Sequence, residues 1–265
     1  MDLGLVEQYT DGLGEGTRLV RTPHGRLEFV RTQELVRRVM PAGARVLDVG
    51  GATGVHAEWL AWDGHSVHVI DVVPGHVDAA RELPGVTAEV GDARDLPIPD
   101  DSVDVVLLFG PLYHLVDPLD RVRVLAEARR VLVAGGLLIC AGISRYLSAM
   151  ETGSDGTLSA DLAASVDAVI RTGTYDGHVG FMSAHFHTAG ELQTELEAAG
   201  LSDVAVYGIE GPAWPALDAA GLAAFDGLLD AAARCARLVE RDPLLINASA
   251  HLLGVATSQP AARAR

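Results

Sequence analysis

Residues 46–54 read Val46-Leu47-Asp48-Val49-Gly50-Gly51-Ala52-Thr53-Gly54, and their reading decides the fold. The apolar residues around Asp48 form a short buried strand over 45–49. That strand runs straight into a turn holding Gly50, Gly51 and Gly54. Glycine accepts a positive φ and lets a ligand come close to the backbone, because no Cβ stands in the way. At the C-terminal end of a strand in a doubly wound sheet, such a turn lies where ligands bind. A plain strand-to-helix turn would use the same glycines, so the flanking sequence has to decide.

Upstream, 27–40 reads as a helix, apolar through Phe29, Val30, Leu35, Val36 and Val39, and Pro41-Ala42-Gly43 stops it. Downstream, a helix passes through Trp59, a core residue, and Leu60. A strand over 66–70 ends at Asp71, and a helix over 74–83 carries Pro74 near its start, where a missing N–H costs little. Strands follow over 86–90 and 103–109. The helix over 119–132 is apolar at Leu119, Val122, Leu125, Ala128 and Leu132; Gly135-Gly136 ends it before a strand over 137–143. Strands and helices that alternate at short spacing, with nearly continuous apolar strands, define a parallel sheet covered on both faces.

After Ile143 the alternation breaks. Residues 144–188 form a first insertion with one helix over 158–171. A helix over 189–199 and a strand over 204–209 resume the sheet. A second insertion over 211–247 holds a long helix around 219–239, and 251–256 is a last strand. Insertions that follow strand ends commonly form lids or substrate caps.

The chain has 265 residues, enough for one α/β domain, here placed at 1–257 with a flexible tail at 258–265. Its formal net charge of −16 repels phosphate backbones and anionic membranes, which argues against both as partners. The two cysteines, Cys140 and Cys235, have no ligand partner at short spacing and read as buried thiols of a reducing compartment. The start, with Asp2 and Glu7, lacks the basic and apolar regions of a secretory signal. No run reaches the ~18 to 20 apolar residues of a membrane span. The expectation is a cytoplasmic monomer or homodimer acting on a small-molecule substrate.

Three carboxylates give the glycine turn its meaning. Asp71 ends the second strand, where it can accept both hydroxyls of a ribose. Gly91-Asp92-Ala93 follows the third strand, where a carboxylate can accept from an adenine amino group. Asp48 stands before the glycines, placed to meet a ligand ammonium or to hold the loop. The run 46–54 resembles motif I of the class I S-adenosylmethionine-dependent methyltransferases. Asp71 and Gly91-Asp92-Ala93 match that family's acidic residue and adenine loop. Residues 104–115, Asp104 to Leu115, resemble its fourth-strand motif, and 130–136 the motif before strand five. The likeness covers 45–143 and is similar to bacterial methyltransferases of small metabolites. Ala52 departs from the pattern, standing where the middle glycine is common.

The resemblance implies a Rossmann-like α/β fold, a doubly wound, mostly parallel seven-stranded sheet with helical cap insertions. It implies S-adenosyl-L-methionine as cofactor and S-adenosyl-L-homocysteine as product. The cofactor residues are then Asp48, Gly50, Gly51, Gly54, Asp71, Val72, Asp92, Ala93 and Phe109, with Tyr9 and the helix start from Arg26 to Arg31 closing over from the N-terminal side. A nicotinamide-dependent oxidoreductase also uses a glycine turn and an acid after strand two, but Gly50, Gly51 and Gly54 miss its Gly-x-Gly-x-x-Gly spacing. A binding protein that transfers no methyl is a further alternative.

Methyl transfer mainly needs an acceptor held in line with the methyl carbon. A base is needed only where the acceptor must lose a proton. Tyr113 and His114 follow strand four and are catalytic candidates; either the histidine is a base, suited by its near-neutral pKa, or it caps a turn. His185 is a third candidate. Tyr113, Arg145, Tyr175, His178, His187 and Trp214 are candidates for the substrate pocket. His185 and His187 would share a face of an extended segment, but no cysteine or carboxylate at ligand spacing joins them, so no metal is expected. Asp95, Asp100, Asp101 and Asp117 read as loop caps, and Glu28 as a solvated side chain.

Overall fold

A computed structural model describes residues 18–178 and 182–259. Tyr9 and the tail beyond residue 259 lie outside the described residues. The main sheet has seven strands: β1 (Arg45–Val49), β2 (Ser66–Asp71), β3 (Val86–Val90), β4 (Val103–Leu108), β5 (Leu132–Ile143), β8 (Leu201–Gly208) and β9 (His251–Ser258). Their order is β3-β2-β1-β4-β5-β9-β8. β1 to β5 pair in parallel, and β9 runs antiparallel to both β5 and β8.

The helices form because apolar side chains recur on one face. The N-terminal pieces are α1 (Arg18–Arg21) and α2 (Pro23–Arg37). α2 starts four residues before the position read from its apolar pattern, because Thr22 caps it, accepting from Gly25 N, and Pro23 sits at its first turn. α3 (Val55–Trp62), α4 (Pro74–Arg81), a single turn α5 (Pro111–His114) and α6 (Pro118–Val131) complete the first part. Asp117 caps α6, accepting from Leu119 N at 2.9 Å. Gly135-Gly136 does not end α6. The chain passes directly from Val131 into β5, whose Leu132 pairs with Val103 before a register shift, and the two glycines lie inside the strand.

Two apolar layers flank the sheet, as successive side chains of each strand point to opposite faces. Leu47 joins Val124, Leu125, Leu192 and Leu196 on the side of α6 and α9 (Ala189–Ala198). Its neighbour Val46 joins Leu35, Val36, Leu60 and Val77 on the side of α2, α3 and α4. Trp59 belongs to this second layer, with the Arg37 guanidinium 4.7 Å over its ring.

The first insertion contains two helices rather than one, α7 (Leu147–Asp155) and α8 (Ala160–Thr172), and a small two-stranded sheet of β6 (Thr174–Tyr175) and β7 (Ala184–His185). The second holds α10 (Trp214–Ala220) and α11 (Phe225–Val239), separated at Gly221, where one long helix was read. Its apolar face is real: Leu217, Phe225, Ala232 and Ala233 close on Leu27 of α2. Among the described residues no helix is long and apolar enough to cross a membrane.

Candidate active site

The C-terminal ends of β1 to β4 open into one cavity, and the glycine turn forms its floor. Gly50 N donates to Ile70 O at 2.7 Å, which fixes the turn against β2. A Cβ on Gly50 would stand 2.9 Å from Pro111, and one on Gly51 would stand 2.7 Å from the Asp48 carboxylate. Both residues must be glycine for the loop to pass here. Ala52 takes a left-handed φ of 48°, and its N–H donates to Asp71 Oδ2 at 2.9 Å. Asp71 Oδ1 accepts from Val73 N at 2.9 Å, so this carboxylate shapes the loop while facing the cavity.

Asp48 is buried, lines the cavity, and neither of its carboxylate oxygens has a hydrogen-bond partner among the described residues. Burial and the negative charge of Asp71 push its pKa up to about 7. An orphaned buried carboxylate is costly unless something completes it. Asp92, by contrast, is held down at about 2 by Arg94, which donates to it at 2.7 and 2.9 Å and also reaches Asp120.

Of the residues that sequence reading assigned to the site, Asp48, Gly50, Gly51, Asp71, Val72, Asp92, Ala93, Phe109, Tyr113 and His114 all line this cavity. Gly54 does not. It caps α3 with φ 86°, and a Cβ there would strike Leu83, so it packs a helix instead of facing a ligand. The residues proposed from the insertions are also elsewhere. His185 Nε2 lies 3.2 Å from Glu191, and Arg145 donates to the same carboxylate at 2.6 Å and to Phe186 O. His187 is fully buried with Nε2 3.3 Å from Glu195, which Arg121 also grips. Tyr175 stacks on Phe186, His178 pairs with Asp176, and Trp214 donates to Ala248 O. These side chains build the insertions, and Arg145, His185 and His187 hold the first of them to α9. Among the described residues, neither insertion lines the cavity.

Sequence reading brings the helix start over 26–31 to the cofactor but assigns none of the α2 residues that line the cavity. Glu28, read as solvated, is 7% exposed and lines the cavity with Thr32, Leu19, His56 and His76. The signal was weak, because a single glutamate on an amphipathic helix gives no hint of the long-range partner that buries it.

Among the described residues, two groups bring three ligand-type atoms within 4.8 Å of one another: His185, His187 and Glu195, and Glu28, Glu210 and His251. In the first, Arg121 and Arg145 already balance the charge of Glu195 and Glu191. In the second, His251 Nδ1 stands 2.6 Å from Glu210 Oε1, the distance of a hydrogen bond.

A seven-stranded sheet in this order, with an acid-lined cavity over a glycine turn at β1, defines a nucleoside-type cofactor site of the class I methyltransferase fold. Residues 46–136 match the family model described as a methyltransferase domain. An uncharacterised methyltransferase of Mycobacterium tuberculosis is 39% identical over 107 residues, 40% of this chain and 42% of that protein. The ubiquinone/menaquinone biosynthesis C-methyltransferase UbiE of Acidiphilium cryptum is 37% identical over 123 residues, 43% of this chain and 48% of its own. The match thus spans less than half the length of either relative. A SAM-dependent methyltransferase of Thermotoga maritima, a possible histamine N-methyltransferase, shares the fold with a TM-score of 0.61 at 19% identity, over 97% of this chain and 99% of that one. The [4+2]-cyclase SpnF shares it with a TM-score of 0.54 at 20% identity, over 88% and 82%. Residues 46–136 thus resemble a methyltransferase domain, and the chain shares its fold with methyltransferases of known structure that depend on S-adenosylmethionine as cofactor.

The cavity fits that cofactor. Its ammonium would give the buried Asp48 carboxylate a partner, and the Gly50-Gly51 turn offers bare backbone where a Cβ would clash.

Proposed function

We propose that the chain transfers a methyl group from S-adenosylmethionine to a small-molecule acceptor. The observation that carries this reading is Asp48, a buried, unpartnered carboxylate facing the cavity of a methyltransferase domain. When bound, the cofactor supplies an electrophilic methyl group on a sulfonium. Asp48 holds the ammonium, and Asp71 accepts from the ribose hydroxyls with the lone pairs that its loop contacts leave. Asp92 and Ala93 meet the base, with Arg94 keeping Asp92 ionised. Tyr113 and His114, on the turn after β4, line the cavity with their rings 4.6 Å apart, and in this reading they face the acceptor. His114 is placed to take a proton where the acceptor carries one. The net charge of −16 favours a neutral or cationic metabolite over a nucleic acid.

A second reading, binding of the cofactor without methyl transfer, has one observation in its favour: a protein named as a cyclase shares this fold, so the architecture serves reactions other than methyl transfer. Calorimetry of the purified protein with S-adenosylhomocysteine, and with NAD as the contrast, tests the cofactor site. Micromolar binding of the first alone is expected. Equal or better binding of NAD would sink the reading. Turnover of labelled methyl donor against an acceptor panel then separates transfer from binding.

A further inference from the structure

The loop after β3 closes on itself and is then fastened to α6. Gly91 N donates to Asp71 O at 3.1 Å, and Asp95 N donates to Asp92 O at 3.0 Å. Asp92 Oδ1 accepts from the backbone N–H of Arg94 at 3.0 Å, a local turn that aspartate favours. The Arg94 side chain folds back over the same carboxylate. Its Nε donates to Asp92 Oδ1 at 2.9 Å, and one terminal nitrogen donates to Oδ2 at 2.7 Å. The other terminal nitrogen donates to Asp120 Oδ2 at 2.8 Å. Asp120 belongs to α6, and Arg123, one turn on, donates to its second oxygen at 2.9 Å. Leu96 N donates to Glu127 of the same helix at 2.8 Å. Asp92 and Arg94 line the cavity, and Asp120 and Arg123 lie outside it.

This chain of alternating charges fixes one carboxylate in place. An unrestrained aspartate side chain samples the staggered positions about χ1. A fork of two parallel N–H donors allows one orientation of the carboxylate plane, because both bonds form only when the two groups are coplanar. Arg94 also holds the Asp92 pKa at about 2, against the upward push of burial. Asp92 therefore presents acceptors alone, in one orientation, at any pH near neutrality. The Arg94 guanidinium is itself engaged at Nε and at both terminal nitrogens, between two carboxylates. Direct anion binding by Arg94 is the weaker reading, since a phosphate would have to displace Asp92 or Asp120.

Resting on the cofactor reading above, we infer that Arg94 is a positioning residue that makes the site select adenine among purine bases, with Asp120 of α6 holding it. Adenine carries an amino group at C6, which donates. Hypoxanthine carries a carbonyl oxygen there, which accepts. A carboxylate locked in place meets the first with a charge-assisted hydrogen bond and the second with two facing acceptors. A carboxylate that can turn loses most of this distinction, because it rotates away from the carbonyl. Selectivity is thus set two residues along the loop, and from a neighbouring helix, rather than only at the atom in contact.

The test titrates S-adenosylhomocysteine and S-inosylhomocysteine, which differ in the C6 substituent of the base, into the full chain by calorimetry. The parent is expected to bind the adenine form at least about tenfold more tightly. In Arg94→Ala the ratio should fall to about threefold or less, with the inosine form bound as well as by the parent. Arg94→Lys keeps the charge but not the fork and should give an intermediate ratio. Asp120→Asn leaves every cavity-lining side chain unchanged and should lower the ratio by about threefold. Circular dichroism and melting temperature check that each variant is folded. A residue that merely supports the loop would weaken both ligands alike and leave their ratio unmoved. An unchanged ratio in Arg94→Ala, or equal binding of the two ligands by the parent, would overturn the inference. Failure of the parent to bind either ligand would strike the cofactor reading itself, and this inference with it.

Discussion

The half of the molecule around β1 to β4 and the two insertions are rich in the same ionisable side chains but use them in opposite ways. Around the glycine turn, carboxylates face a cavity, and Asp48 is left without a partner and pushed up to about 7. In the first insertion the charges close on one another. Burial of Glu195 alone would raise its pKa, yet His187 and Arg121 outweigh that and hold it at about 2. Arg145, His185 and Glu191 form the neighbouring set. An orphaned charge marks a place kept for a ligand, whereas a satisfied network marks an adhesive between elements. The histidines of the insertion attract attention in the sequence, but their partners show that they secure α9 and β7.

Each side of the contrast can be broken by experiment. The largest effect is expected from Gly51→Ala, whose Cβ would fall 2.7 Å from the Asp48 carboxylate. Affinity for S-adenosylhomocysteine should drop by about a hundredfold or more, since one misplaced carboxylate contact and a filled cradle cost about 3 kcal/mol together. Calorimetry reads this directly, and a Kd within a factor of about three of the parent would mean that the turn does not cradle the ligand.

A smaller effect follows from Asp48. Its folded pKa of about 7 lies above the ordinary carboxylate value. The folded protein therefore holds a proton that the unfolded chain releases between about pH 4 and 7, and stability falls as pH rises through that window. Ligand binding reverses the preference, because the ammonium needs the ionised form. The affinity for S-adenosylhomocysteine should fall about tenfold per pH unit below 7 and level off above it. A flat profile from pH 5.5 to 8 would detach Asp48 from the ammonium.

The smallest effect on the ligand belongs to the insertion. His187→Ala should lower the unfolding free energy by about 2 kcal/mol in urea titration, through a buried cavity and a lost hydrogen bond, with Glu195 still held by Arg121. The Kd for S-adenosylhomocysteine should stay within about twofold. A tenfold loss there would erase the distinction between the two regions.

What the sequence made legible follows the same divide. The parallel core could be read because its signals are local: apolar runs such as 105–108, the glycines of 50–54, and acids at or just past a strand end. Even the breaks were local, with Thr22 and Pro23 moving the start of α2 and Gly221 dividing the second insertion. The cluster of Glu28, Glu210 and His251 could not be read, because only the meeting of α2, the segment after β8, and β9 brings the three together. His185 and His187 misled for the same reason: alternation gave their shared face, but not the glutamates of α9 that occupy it.

The place of β9 has a consequence for how the protein is made. It follows the other six strands of the main sheet in the chain, yet it lies between β5 and β8. While the polypeptide leaves the ribosome, β1 to β5 can assemble as they emerge, since domains begin to fold from the N-terminal side during synthesis. Until His251–Ser258 has been made, the outer edge of β5 stands open as a row of unpaired backbone groups over Leu137–Ile143, a stretch prone to pair with a neighbouring nascent chain. Slow translation before codon 251 would lengthen that exposure, so yield in cells should respond to translation speed there even where the finished protein is unchanged.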